Sequence, residues 1–224
     1  MSLPPERPWP ERSWTEPTDD SIVAAAGSIL AAREEVPASD VQAISECVVR
    51  IAWVPGSASV SDEKLAFLLD YWRGLGEGQK DGVPLAAQVD GIDLVPALGN
   101  IMLLDVEREG FDARYRLYGT KVASKAGRDW TGWLVSEMNR VTRTPAALLY
   151  RAGYLAVYRR MMPLFTEHNS PPWTSAEAWR RLILPLADDQ GRCTRLLVGN
   201  VDIGHRLLTA EQIEEQQRRL RPDD

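Results

Sequence analysis

Residues 114–133, RYRLYGTKVASKAGRDWTGW, change grammar twice within one short stretch. The opening residues alternate as in a strand with one buried face. The pattern breaks at Gly119 and then runs through short helix-like pieces interrupted by Gly127 and Gly132, the last glycine lying between Trp130 and Trp133. What surrounds this stretch decides the fold.

Just upstream, NIMLLDVERE and FDARYRLYG are two strand candidates separated by Glu109-Gly110, which predicts a tight hairpin. Downstream come two short helical pieces, KVASKAG and WLVSEMNR. A longer amphipathic helix follows, TPAALLYRAGYLAVYRRMM, with Pro145 in its first turn where proline is tolerated. The chain then returns to strands: PLFTEHN, EAWRRLILPLADD, a turn at Asp189-Gln190-Gly191, and CTRLLVGNVDI. A leading pair of strands and a trailing meander of three predict an α+β fold, not alternating βαβ units. The expected architecture is a five-stranded antiparallel sheet over residues 100–203, with the helices of residues 119–162 on one face.

Residues 1–18, rich in proline and charge, read as a flexible lead-in. DSIVAAAGSILAAREE predicts a helix capped by Asp19 or Asp20 and stopped at Pro37. SDVQAISECVVRIAWV predicts a second helix, opened by a Ser39–Gln42 capping box and stopped at Pro55, with Val48, Val49, Ile51 and Trp53 as its apolar residues. After a GSASVS linker, DEKLAFLLDYWRGL forms a helix with Leu65, Leu68, Leu69 and Trp72 on one face. The tail after residue 206 predicts a solvated helix opened by Thr209 and Gln212. The expected division is an N-terminal extension (1–60), a main domain with its leading helix (61–205) and a C-terminal helical tail (206–224).

With 224 residues, 44% of them hydrophobic, the chain can bury one real core. A net charge of -6 gives no basic surface for nucleic acid or an anionic membrane. The longest apolar runs are too short to span a bilayer, and the N-terminus lacks the pattern of a signal peptide. Cys47 and Cys193 form no metal or redox motif. The expected location is the cytoplasm.

The segments LLDYWRGL, IDLVPALGNIMLLDVE, RYRLYGT, GRDWTG and RRLILPLADDQG, in this order over residues 64–203, resemble the short stand-alone PAS proteins of bacteria. The chain departs from them in its extra N-terminal residues and in the polar PALGNI run. The resemblance implies that the second strand leaves the sheet and crosses its concave face through short helices. Gly119, Gly127 and Gly132 would then serve the turns, with Trp130 and Trp133 sealing the edge of a cavity. The same residues also suit ordinary turns and a filled core.

As a sensory module, such a domain would bind a small ligand, a protein partner, or both. The long helix has no histidine of the kind haem-binding members place there, and no Asn-Cys-Arg motif of the flavin photosensors is present. The expectation is no haem, flavin or metal. Candidate cavity residues are Tyr115, Trp130, Trp133, His168 and Trp179, with Tyr150, Tyr154 and Tyr158 recurring every fourth residue along one helix face. Arg180 and Arg181 point to opposite faces of their strand. One of them is positioned for a ligand carboxylate, or for a surface or interstrand ion pair. A second reading is a small acid–base enzyme using Asp105, Tyr115 and His168, although no nucleophile elbow, phosphate loop or metal cluster accompanies them. For Leu65, Leu68, Leu69 and Trp72 two uses compete, covering the outer face of the sheet or packing on a second subunit. The apolar content of residues 20–54 favours a homodimer.

Overall fold

Aliphatic and aromatic runs fold into one antiparallel sheet, seen in a computed structural model that describes residues 14–56 and 58–221. Its strands are β1 (Val48–Trp53), β2 (Ile101–Glu107), β3 (Asp112–Tyr118), β4 (Leu164–Asn169), β5 (Ala178–Ala187) and β6 (Cys193–Ile203), in the order β1-β4-β5-β6-β2-β3. The helices are α1 (Asp19–Ala31), α2 (Ala38–Ile44), α3 (Glu63–Gly76), α4 (Thr120–Ala126), α5 (Val135–Thr142), α6 (Ala147–Arg160) and α7 (Ala210–Leu220). The α+β antiparallel architecture is the expected one, and all five expected strands lie in the sheet.

The sixth strand corrects the reading of residues 48–53 as helix. Ser45 turns the chain to extended backbone after α2, and β1 then pairs with β4 from Val48↔His168 to Trp53↔Leu164. A bulge between Val48 and Arg50 adds one residue. The core-facing residues Val48, Ile51 and Trp53 are therefore spaced three and two apart, and the first interval mimics a helix turn.

The inner face of the sheet carries α4, α5 and α6. Helix α6 is buried without a break from Arg151 to Val157, because the sheet lies on one side of it and α1 on the other. Residues 19–54 thus share the core of the sheet: Ile22, Ile29, Val41 and Ile51 belong to the same apolar cluster as Leu155, Ile183 and Val198.

The outer face is covered by α3. Leu65, Leu68, Leu69 and Trp72 pack on Leu182, Leu184, Leu186 and Leu197, and Trp72 Nε1 donates to the Pro185 carbonyl at 2.7 Å. A Cβ at Gly199 would lie 2.6 Å from both Leu65 and Leu68, so the helix can sit this close only over a glycine. Within one chain all four residues are thus buried against the sheet.

The strand-to-helix passage uses its glycines as close approaches and turns. A Cβ at Gly119 would meet the Gly99 carbonyl oxygen at 2.4 Å, while Gly127 and Gly132 take positive φ values of 89° and 91°. The tail forms α7 behind the expected Thr209–Gln212 capping box. Among the described residues no helix is long and apolar enough to cross a membrane.

Candidate functional site

Strand register places a polar row in the middle of the inner face. Thr166 on β4 and Asn200 on β6 both lie opposite Arg181 on β5. Residues directly opposite one another in an antiparallel pair point to the same side. Arg181 is flanked along its strand by the core residues Trp179 and Ile183, and it is only 4% exposed. Arg180 faces the other way and pairs with Glu167 at 2.9 Å. The two arginines therefore divide the alternatives: Arg180 takes the interstrand ion pair, and Arg181 takes the interior.

The Arg181 guanidinium sits in a cage of phenols. Its Nε donates to Asn200 Oδ1 at 3.3 Å and its Nη1 to Tyr154 Oη at 3.4 Å, while its Cζ lies 4.2 Å from the centre of the Tyr150 ring. Tyr150 Oη is 2.9 Å from His168 Nε2. Tyr115 and Tyr118 complete the group, their rings meeting edge to face at 5.1 Å. Three positions separate these two tyrosines, so a regular strand would send them to opposite faces. A bulge at Arg116, between the pairs Leu103↔Leu117 and Leu104↔Tyr115, turns both inward.

The electrostatics of this cluster are one-sided. Burial raises the Tyr115, Tyr118 and Tyr154 phenols above their ordinary range and takes Tyr150 to about 12. All four are un-ionised at neutral pH. Burial, and secondarily the Arg181 charge, holds His168 well below the usual imidazole value. Arg181 feels burial against its charge and the surrounding phenol oxygens in its favour, with a net upward displacement. The guanidinium is thus the one charge of the cluster, and among the described residues it has no ion-pair partner. The acids of neighbouring strands are engaged elsewhere: Glu167 with Arg180, Asp202 with Lys125, and Asp105 with Arg195 and Arg116. A desolvated cation–π contact contributes about 2 kcal/mol or more, against several kcal/mol for burying an unpaired ion. The cluster is electrostatically incomplete.

It is also incomplete in hydrogen bonds. Among the described residues, His168 Nδ1 and Thr166 Oγ1 are buried without a partner. Arg181 can only donate, and its guanidinium packs over the Tyr150 ring. In either direction of the Tyr150–His168 hydrogen bond, His168 Nδ1 is left with an unspent donor or acceptor.

The buried neutral imidazole has a measurable consequence. The unfolded chain takes up a proton at His168 near pH 6.5, whereas the folded state holds that residue neutral to lower pH. The unfolded state therefore binds more protons below pH 6.5, and stability is lost as pH falls. We expect the unfolding free energy to drop as pH falls through about 6.5, with a slope that approaches about 1.4 kcal/mol per pH unit below it. Urea titrations of the wild type and His168→Gln test this. Equal slopes for the two proteins would refute it.

The other expected site residues are distributed as follows. Trp179 is buried beside the row, opposite His168. Trp130 and Trp133 meet edge to face at 5.5 Å and hold the Arg128 guanidinium 4.6 and 4.5 Å from their ring centres, while Arg128 donates to the Leu220 carbonyl of α7. They lie at the α4–α5 edge. Tyr158 lies outside the cluster, against Gly110 in the β2–β3 turn. The acid–base trio is not assembled. Asp105 lies two residues beyond Leu103, on the face that packs with the outer cluster, and pairs with Arg195, whereas Tyr115 and His168 are on the inner face. Cys47 and Cys193 are free and buried, their thiols raised by burial to about 11 and about 12.

Sequence reasoning missed Thr166, Asn200 and Tyr118. The available signal was a polar residue at an otherwise apolar inward position in LFTEHN and LLVGNVDI, which gains meaning only once register lines the strands up.

A family model described as a PAS domain matches residues 60–200. No curated protein matches the chain. Among solved structures, the chain is similar to an RNA-binding Light-Oxygen-Voltage receptor, at 14% identity and a TM-score of 0.41 over 76% of this chain. The match spans 40% of that receptor's length. The family model takes in well over half of the residues, and the chain belongs to the PAS domain family.

Proposed function

We propose that this PAS domain is a sensory module whose inner-face centre, built from Tyr115, Tyr150, Tyr154, His168, Trp179 and Arg181, binds a small molecule and reports its presence to a protein partner. The observation that carries this reading is the pair of orphaned polar atoms, His168 Nδ1 and Thr166 Oγ1, buried on the same face as Arg181. Buried polar atoms are almost always partnered. Two partnerless ones beside a buried charge mark a place where a further molecule completes the hydrogen bonding. The setting is the cytoplasm, where two unpaired thiols stay reduced.

Native mass spectrometry of the purified protein tests the reading. The expected result is a retained small molecule that is lost, or held far more weakly, in Tyr154→Phe/His168→Phe. A bare chain mass, with no stabilisation by any member of a small-molecule library, would sink the proposal.

A further inference from the structure

We infer that the ligand of the inner-face centre is a small carboxylate whose charged group pairs with Arg181 and whose remainder is apolar. This rests on the ligand-binding reading above and adds the chemical class. Arg181 is a permanent cation, 4% exposed, and no carboxylate among the described residues pairs with it. Its hydrogen bonds run from Nε to Asn200 and from Nη1 to Tyr154, which leaves part of the donor fork unused. A planar carboxylate matches that fork with two parallel hydrogen bonds.

The neighbours narrow the class further. Tyr115, Tyr118, Tyr150 and Tyr154 stay protonated at neutral pH, so the hydroxyls around the guanidinium carry no charge that would repel an anion. His168 Nδ1 is without a partner. His168 is neutral, which leaves a single positive charge in the cluster. One charge balances a monoanion and falls short of a phosphate dianion. Beyond the polar row the inner face is Trp179, Ile183, Leu155 and Val198, which suits an apolar or aromatic body.

The test uses the full-length protein after exhaustive dialysis. Thermal unfolding is followed with acetate, hexanoate, benzoate and indole-3-acetate, each against its amide counterpart at constant ionic strength. The expected result is a saturable rise in Tm with at least one carboxylate and none with its amide. Arg181→Met should abolish that rise, yet unfold without ligand at or above the wild-type temperature, since it removes an unpaired buried charge. Arg181→Lys keeps the charge but lacks the planar fork, and should weaken carboxylate binding by about tenfold or more. If no carboxylate raises Tm, or if Arg181→Met retains the rise, the inference is overturned whatever the stability of the variants. Equal shifts from amides and carboxylates would overturn the carboxylate class and leave the ligand-binding reading standing.

Discussion

Replacing Trp72 by alanine is expected to cost about 3–5 kcal/mol, the range for removing a buried tryptophan. The indole is 7% exposed between α3 and the outer face of the sheet, and its Nε1 holds the Pro185 carbonyl at 2.7 Å. Truncation opens a cavity over Leu184 and Leu186 and takes away that donor. Against a typical domain stability of roughly 5–15 kcal/mol, the loss is large enough to read in a single denaturant titration. The same experiment separates the two uses of the α3 stripe. A helix that covers its own sheet gives a cost independent of protein concentration. A helix that pairs with a second copy gives a cost that shrinks on dilution, as the wild type loses its own partner. A loss below about 1 kcal/mol, or one that depends on concentration, would return α3 to the role of an intersubunit contact.

Trp53→Ala should cost a similar 3–5 kcal/mol, even though the residue lies outside the segment that the PAS family model matches. Its ring is 3% exposed. Its Nε1 donates to the Ile29 carbonyl at 2.8 Å, and the Arg160 guanidinium stacks 4.5 Å above it while bonding the Ala32 carbonyl. One side chain thus ties β1, the end of α1 and the end of α6 together. By the same logic, deleting residues 1–60 should not leave an intact core. It would bare the α1 side of α6 and strip β4 of its edge partner. We expect the truncated chain to be unfolded or aggregated, as judged by near-ultraviolet circular dichroism and sedimentation. A truncated protein with wild-type near-ultraviolet signal would show that α1 and β1 are accessory.

Much of the fold was legible because it is written in local patterns. The alternation in IMLLDVE and ARYRLY, the Glu109-Gly110 turn and the apolar stripe of α3 each need only a few neighbouring residues to be recognised. Gly119, Gly127 and Gly132 marked the passage off the sheet because close approach and positive φ each restrict the choice of residue there. The α7 capping box was legible for the same reason, since Thr209 and Gln212 satisfy each other within one turn.

What remained hidden depends on which strand lies beside which. β1 looked helical because a bulge shifts its inward residues to a spacing of three, and only pairing with β4 reveals the extra residue. Tyr118 joins Tyr115 through a second bulge that no local rule announces. The stripe of α3 was visible, but its partner was not, because an apolar face records that it must be buried and leaves open what buries it. Arg181 is the clearest case. Alternation alone assigned Arg180 and Arg181 to opposite faces. Which of them meets an acid and which is sealed among phenols was decided by the register of β4, β5 and β6. That register sets Glu167 opposite Arg180, and Thr166 and Asn200 opposite Arg181. The sequence by itself determined five of the six strands described, the turns between them and the residues that must leave water. Only the tertiary structure decided that one charged side chain would be buried without a counter-ion among the described residues, because ion pairing and burial are set by residues far apart in the chain.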